Sequence, residues 1–369
     1  MIDVSSLADF GLAWLEASGP RADIVLSTRV RLARNLQGHA FATRIRDPER
    51  TQILDQIRQV ANEHTGLKGG ISLDLNALTP LSRRVLLERH LISRELAGSD
   101  PGEAPPRGSG LILGPRDTVG VMVNEEDHLR LQVLLSGLCL DEAYRRVDRL
   151  DEELGDQLPY AYHQEFGYLT SCPTNVGTGL RASILVHLPG LVLTKEISRV
   201  LQAIGHMGLT YRGLYGEGSE VVGNFFQVSN QTTLGKGEED LLEHLQKTVA
   251  QVIYHEERAR EMLTREAPAV IEDKIWRAYG LLRYARSLSF DEVMNLLSGV
   301  RLGVSMNILS GLRVYTLNKI MIYAQTAHLE QAAGRTLGEA ESDLHRGAYV
   351  RRVLAAEGDV PIEKQGTRN

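Results

Sequence analysis

Residues 24–32 read Ile24-Val-Leu-Ser-Thr-Arg-Val-Arg-Leu32, and their alternation decides the fold. Side chains of a strand point to opposite faces in turn. Ile24, Leu26, Thr28, Val30 and Leu32 then share one face, and Ser27, Arg29 and Arg31 the other. Two later stretches repeat the pattern. Leu129, Leu131, Val133 and Leu135 oppose His128, Arg130 and Gln132, while Ala182, Ile184, Val186 and Leu188 oppose Arg181, Ser183 and His187. A half-buried strand with its polar side in water explains any one of them. Surface strands, however, usually mix Lys, Glu and Thr, and these polar faces hold Arg, Ser, His and Gln with no acid. If the three strands share a sheet, Arg29, Arg31, Arg130 and Arg181 line one face. Such charges repel one another until an anion joins them, and a nucleotide triphosphate is the obvious candidate.

Working outward, a helix is predicted over 47–64, with Ile53, Ile57 and Val60 on one stripe and Pro48 at its first position. A second is predicted over 80–96, followed by a Pro- and Gly-rich loop over 99–110. Residues 111–113 and 118–123 predict a hairpin, and further strands fall near 183–188 and 224–229. From Gly237 the pattern turns helical, with Glu238, Glu239 and Asp240 at the dipole-favoured start. After Pro268 four more helices are predicted, near 271–285, 290–302, 312–327 and 337–356. The expected fold class is therefore α+β, an antiparallel sheet flanked by helices, followed by an all-helical C-terminal domain. The expected parts are an N-terminal segment 1–23, a catalytic unit 24–254, a helical domain 268–357 and a frayed tail 358–369.

At 369 residues, 43% hydrophobic and 24% charged, the chain suits two globular domains and excludes wholesale disorder. A net charge of −6 gives no basic field for nucleic acid. No apolar run reaches the ~18 residues of a membrane helix, and the N-terminus lacks a signal peptide's basic region. Two cysteines exclude a disulfide framework or a four-Cys zinc site and fit a reduced, cytoplasmic setting. Of 41 basic residues only seven are Lys, leaving 34 Arg. Codon bias explains that excess as well as phosphate gripping does, and composition alone does not decide.

The P-loop pattern is absent, since Gly235-Lys236 is followed by Gly237. The glycines of Arg212-Gly-Leu-Tyr-Gly-Glu-Gly-Ser-Glu220 do not follow dinucleotide spacing; they read as a mobile loop over a ligand or as a plain hairpin turn. Asn124-Glu-Glu-Asp-His128 puts three acids directly before the Arg130 strand, either as a solvated turn or as part of a site. Cys139 lies in an apolar run, whereas Cys172 lies in a turn, Ser171-Cys-Pro-Thr-Asn-Val-Gly-Thr-Gly179. Cys172 is therefore the expected reactive thiol, activated by nearby cations.

Five segments together resemble the phosphagen kinases, the ATP:guanidino phosphotransferases. They are Ser27-Thr-Arg-Val-Arg31, Asn124-Glu-Glu-Asp-His-Leu-Arg130, Cys172-Pro-Thr-Asn-Val-Gly-Thr178, Arg181-Ala-Ser-Ile-Leu185 and Arg212-Gly-Leu-Tyr-Gly-Glu217, in the family's order. Small-molecule members carry a helical domain before the first segment, whereas 26 residues precede Ser27 here and helices follow the core. With Asn230-Gln-Thr-Thr-Leu-Gly-Lys236, that layout resembles the bacterial protein-arginine kinase branch.

The resemblance implies transfer of phosphate from ATP, with Mg2+, to a protein arginine. It implies Glu126 as base, Glu217 as second substrate carboxylate and Cys172 beside the guanidinium. For the nucleotide it implies Ser27, Thr28, Arg29, Val30, Arg31, Arg130, Arg181, Ala182, Ser183, Ile184, Leu185, Arg212, Gly213, Leu214, Tyr215, Gly216 and Glu217, and no dedicated metal ligands. His90 reads as a nucleotide contact or as a histidine capping a helix end. The family also implies a zinc-binding activator protein, a heat-shock repressor as substrate and a Clp unfoldase-protease. A homodimer is expected from the apolar surplus at Leu296-Leu297, Ile308-Leu309, Leu317, Met321 and Ala324. Asp343 and Arg346 mark a degenerate phosphoarginine pocket, in which Ser342 replaces the branch's first Arg. A kinase of free arginine and an inert adaptor are the alternatives.

Overall fold

The computed structural model describes residues 10–41, 44–63, 66–98, 104–115, 118–214 and 221–358. A single helical turn, Ala13–Leu15, leads into β1 (Val25–Arg34), α1 (Asp47–Glu63), β2 (Ile71–Asp74), α2 (Pro80–Glu88) and α3 (Arg94–Ala97). Next come β3 (Gly110–Leu113), β4 (Val119–Val123), β5 (Leu129–Ser136) and α4 (Leu140–Gly155). A two-stranded hairpin, β6 (Tyr162–His163) and β7 (Gly167–Tyr168), precedes β8 (Leu180–His187), α5 (Pro189–Leu193), α6 (Ile197–His206), β9 (Leu209–Arg212) and β10 (Phe225–Asn230). The remainder is helical: α7 (Glu238–Glu266), α8 (Pro268–Tyr284), α9 (Phe290–Ser305), α10 (Val314–Tyr323), α11 (Thr326–Ala333) and α12 (Glu339–Ala356). This is the expected α+β class. The expected end of the first unit at 254 falls inside α7, which runs on to Glu266 before Ala267 breaks it. Beyond Gly358 the expected tail lies outside the described residues.

The main sheet runs β2-β3-β4-β5-β1-β8-β10-β9, antiparallel throughout. One face is apolar along its length. Val30, Leu131, Ile184 and Val228 pack there against Ile57 of α1, Val147 of α4 and Val249 of α7. The other face is divided. At one end Leu26, Leu134, Leu185 and Phe225 meet Trp14 and the C-terminal helices in a second core. Each such buried side chain contributes roughly 1.5–3 kcal/mol, so the C-terminal helices are fastened directly to the sheet. At the other end of this face the apolar residues give way to arginines.

Leu26 corrects the simple alternation. The register between β1 and β8 shifts between Val25 and Ser27, a bulge that inserts one extra residue. Leu26 therefore turns to the second face, away from Val30 and Leu32. Two predicted helices are also broken. The one over 80–96 stops at Glu88, because His90 takes φ +61° and Ser93 caps a new turn. The one over 312–327 divides at Ala324-Gln325 into α10 and α11.

The apolar stripe expected to be surplus is consumed within the chain. Leu297, Leu309, Leu317, Met321 and Ala324 are all buried in the second core, with Leu296 and Ile308 packed against it. The apolar side chains left in solvent on these helices are Val270, Leu281 and Tyr284 of α8 and Leu344 of α12.

Candidate active site

β5, β1 and β8 are neighbours, so the three arginine-bearing strands lie side by side. Arg31 pairs directly across from Arg181 on β8 and from Gln132 on β5. Like charges in that register repel. They open into a cleft of about 490 Å³, also walled by His90, by Ile92 to Glu95, by Glu125 and Glu126, and by Cys172, Thr174 and Asn175. Among the described residues, its walls hold Arg29, Arg31, Arg94, Arg130, Arg181 and Arg212 against Glu95, Glu125 and Glu126. Six guanidinia against three carboxylates make the cleft cationic in a chain of net charge −6.

The charges feel that excess. Burial, together with repulsion from Arg181 and Arg130, pulls Arg29 down to about 10. Arg31 is held well below the usual arginine range by burial and by Arg29, Arg130 and Arg181, with Glu125 opposing. Arg29 stays cationic at neutral pH, and both guanidinia gain if an anion enters. Arg29 Nη2 donates to the Gln227 side chain of β10 at 3.3 Å. The His90 ring is pushed down to about 3 by burial and then by Arg29, so it is neutral. It meets Trp14 edge to face at 5.4 Å, and its backbone carbonyl accepts from Gln132 at 3.2 Å. His90 lies just past the end of α2 and forms part of the cleft wall.

The acidic turn is built in. Asn124 takes φ +54° and donates through its side chain to the carbonyls of Arg50 and Gly108, both at 2.8 Å. Glu125 is buried and accepts from Arg130 at 2.5 Å, while Glu126 accepts from the same guanidinium at 2.9 Å. Asp127 is fully buried; one oxygen accepts from Asn35 and from the Ser171 backbone, each at 2.7 Å. His128 is structural: its Nδ1 accepts from the Leu36 backbone at 3.0 Å, which leaves Nε2–H to donate to the Ala40 carbonyl. Glu126 alone of the three acids reaches solvent. Its carboxyl is raised above the ordinary range, chiefly by burial and further by Glu125 and Asp127, with Arg130 and a hydrogen bond from Cys172 opposing. The half-buried Cys172 thiol also lies 3.0 Å from the Thr174 hydroxyl.

Other expected residues fall elsewhere. Thr28, Val30, Ala182 and Ile184 turn to the opposite face, because they alternate with the arginines. There Thr28 donates to the Gly137 carbonyl and accepts from the Cys139 backbone. Ser27, Ser183, Leu185 and Leu214 surround a void of about 20 Å³ beside Trp14, next to the cleft but too small for a nucleotide. Arg212 reaches the cleft from β9, and Gly213 is buried behind it. Tyr215, Gly216 and Glu217 lie outside the described residues. Nothing in the local sequence singles out Gln227, although it alternates with buried Phe226 and Val228 on β10.

Asp343 and Arg346, expected to mark a degenerate phosphoarginine pocket, bond to each other. Arg346 is 3% exposed, and its guanidinium donates to the carbonyls of Ala324 and Leu288 and to Asp343. It braces the corner between α10 and α11 rather than facing a ligand.

The chain is similar to known proteins over most of its length. The family model described as ATP:guanido phosphotransferase, C-terminal catalytic domain, matches residues 31–259. That described as protein-arginine kinase McsB C-terminal domain matches residues 268–365. The protein-arginine kinase of Bacillus cereus strain G9842 is 45% identical over 346 residues, 93% of this chain and 96% of that protein. Its counterpart in Bacillus anthracis strain A0248 is 44% identical over the same shares. Among solved structures, the duplicated taurocyamine kinase from Schistosoma mansoni aligns with a TM-score of 0.58 and 29% identity, over 65% of this chain and 34% of that one. Lombricine kinase aligns with a TM-score of 0.56 and 25% identity, over 64% and 67%. Relatives this similar over nearly their whole length leave one conclusion: the chain belongs to the ATP:guanido phosphotransferases and, within them, to the protein-arginine kinase family.

Proposed function

We propose that this chain transfers the γ-phosphoryl group of ATP to the guanidinium of arginine side chains in proteins. The observation that carries the reading is the pairing in one cleft of an arginine-lined sheet end with the exposed carboxylate of Glu126 beside Cys172. Phosphoryl transfer asks for alignment and charge stabilisation. Arg29, Arg31, Arg130, Arg181 and Arg212 supply the charge, and their planar forks suit phosphate oxygens. An arginine guanidinium keeps its proton up to a pKa above ~12. Glu126 accepts that proton as the N–P bond forms and the bond to the bridging oxygen breaks, and ADP leaves. Its raised pKa makes it a stronger base than an ordinary glutamate. Cys172 lines the same cleft as Glu126, where it helps orient the guanidinium.

Mg2+ offsets phosphate charge when bound. Glu125 and Glu126 are both engaged by Arg130, and the described residues contain no group of three or more His, Cys, Asp and Glu placed to hold a metal ion. We read Mg2+ as an ion that phosphate oxygens and water would mainly hold.

By family resemblance we place the enzyme in the cytoplasm, in stress response and protein quality control. Its companions there are a zinc-binding activator protein, a heat-shock repressor as substrate and a Clp unfoldase-protease. No helix among the described residues is long and apolar enough to cross a membrane. A homodimer would use the outer face of α8, where Val270, Leu281 and Tyr284 are exposed.

Labelled ATP offered with an unfolded protein, or with free arginine, tests the reading. Acid-labile label on the protein is expected. Label on free arginine alone would make the chain a small-molecule kinase, and ATP binding without any transfer would make it an adaptor.

A further inference from the structure

The segment Asn230-Gln-Thr-Thr-Leu-Gly-Lys236 marks the family branch, yet it lines no part of the cleft. It runs instead along the back of the loop that carries Cys172. The side chain of Asn230, 4% exposed at the end of β10, clamps the start of β8. It accepts from the Ala182 backbone at 2.8 Å and donates to the Leu180 carbonyl at 2.9 Å. Three residues on, the chain crosses under the loop. The hydroxyl of buried Thr233 lies 2.7 Å from the Val176 carbonyl and 3.0 Å from the Thr174 carbonyl. A hydroxyl has one hydrogen, so it donates to one of these carbonyls at a time or shares the hydrogen between them, and in either case it ties the turn between them to β10's continuation. The approach is close. Gly177 sits at φ +110°, and a Cβ there would come within 2.8 Å of the Thr233 carbonyl.

Two other anchors hold the ends of the same loop. Asp127 takes the Ser171 backbone N–H at 2.7 Å, and Arg34 donates to the Thr178 carbonyl at 2.9 Å. The Thr170 hydroxyl donates to the Cys172 carbonyl at 2.8 Å, and the Thr233 hydroxyl reaches the turn directly after Cys172-Pro173. The loop contains one helical turn, Pro173–Asn175, and a single bridge from Gly177 to Tyr168 of β7. We propose that Thr233 is a positioning residue, whose hydroxyl fixes the turn 174–176 and thereby holds Cys172 against Glu126. This inference rests on the proposed reaction for its effect on turnover, but not for its effect on the thiol.

The test compares the full-length protein with Thr233→Val, which keeps the shape and removes the hydroxyl, and with Thr233→Ser, which keeps the hydroxyl. Two readouts are taken. One is the rate at which Cys172 is alkylated, read by peptide mass spectrometry so that Cys139 is counted separately. The other is kcat and KM for ATP with an unfolded protein substrate. In Thr233→Val we expect alkylation of Cys172 to change severalfold with Cys139 unchanged, kcat to fall about tenfold and KM for ATP to stay within about twofold. Thr233→Ser should resemble the unaltered protein in both. Unchanged alkylation and turnover in Thr233→Val would overturn the proposal. So would equal losses in Thr233→Ser and Thr233→Val, because the hydroxyl would then be irrelevant; Thr233→Ser keeps the test open should Thr233→Val fold poorly. If the unaltered protein transfers no phosphate to protein, the proposed function fails, and the alkylation rates still decide the role of Thr233.

Discussion

Arg34 and Arg31 lie three residues apart on β1 and live under opposite rules. Arg34 points into the core, 1% exposed, and the fold completes its shell. Asp151 of α4 accepts from its Nε and Nη2, the Tyr168 ring lies 3.5 Å from the guanidinium carbon, and the carbonyls of Ala33 and Thr178 take Nη1. Arg31 points to the cleft and is given Arg29, Arg130 and Arg181 as its main company. Where an arginine serves structure, the chain supplies the anion. Where the anion is left out, the charge is kept for something that arrives, and the fold tolerates the repulsion until then.

Breaking the core member should be the costlier experiment. Arg34→Ala strands Asp151 in the interior, and removing one partner of a buried pair costs about 3–5 kcal/mol. Arg31→Met removes a repelling charge from a site with no carboxylate directly across the strand. Chemical denaturation without nucleotide should show Arg34→Ala strongly destabilised and Arg31→Met unchanged or up to about 1 kcal/mol more stable. A comparable loss in both would erase the distinction between the two arginines.

Activity should rank the other way. Arg31→Met, Arg130→Ala and Arg181→Ala should each lower kcat/KM about 10²-fold or more, the scale for losing one transition-state donor. Lys at Arg130 or Arg181 should recover only part of this, because a point charge cannot fork across two oxygens. Full recovery by Lys at both would remove the bidentate reading. Glu126→Gln should cost about 10²-fold in kcat with nucleotide affinity kept. Because burial raises the Glu126 pKa and only its ionised form accepts a proton, kcat/KM should fall with pH from above the ordinary glutamate range. That acid limb should vanish from the residual rate of Glu126→Gln.

The cleft was legible where chemistry repeats at a fixed period. Arg29, Arg31, Arg130 and Arg181 follow from alternation alone, since a strand has two faces and no third. What was not legible came from events without a period. The bulge at Leu26 leaves no compositional trace, because its neighbours Val25 and Ser27 occur equally in regular strands. The helix predicted over 80–96 keeps its apolar spacing through Leu91, Ile92 and Leu96, and nothing local announces that His90 adopts a left-handed backbone. Arg346 looked available because a sequence shows side chains and not the carbonyls that claim them. Ala324 and Leu288 are 22 and 58 residues away. Thr233 escaped notice for the same reason, its partners being the carbonyls of a distant loop.

The smallest effect probes the neutral ring at the edge of the arginine cluster. His90 is held neutral to about pH 3 by burial and by Arg29, while the same residue in the unfolded chain takes up a proton near 6.5. Above pH 6.5 neither state binds that proton and His90 contributes nothing to pH dependence. As pH falls below 6.5 the unfolded chain gains a proton that the folded one refuses, so stability is lost progressively down to about pH 3. Between pH 7 and 6 this amounts to about 0.5–1 kcal/mol for one histidine. His187, also buried and pushed well below its usual value, adds in the same direction. Urea denaturation of His90→Gln at pH 7, 6 and 5 should therefore show a shallower decline than the unaltered protein, by one proton's worth and no more. Equal slopes would mean that His90 takes up its proton in the folded state. The cluster would then be less starved of anions than the comparison of Arg31 with Arg34 requires.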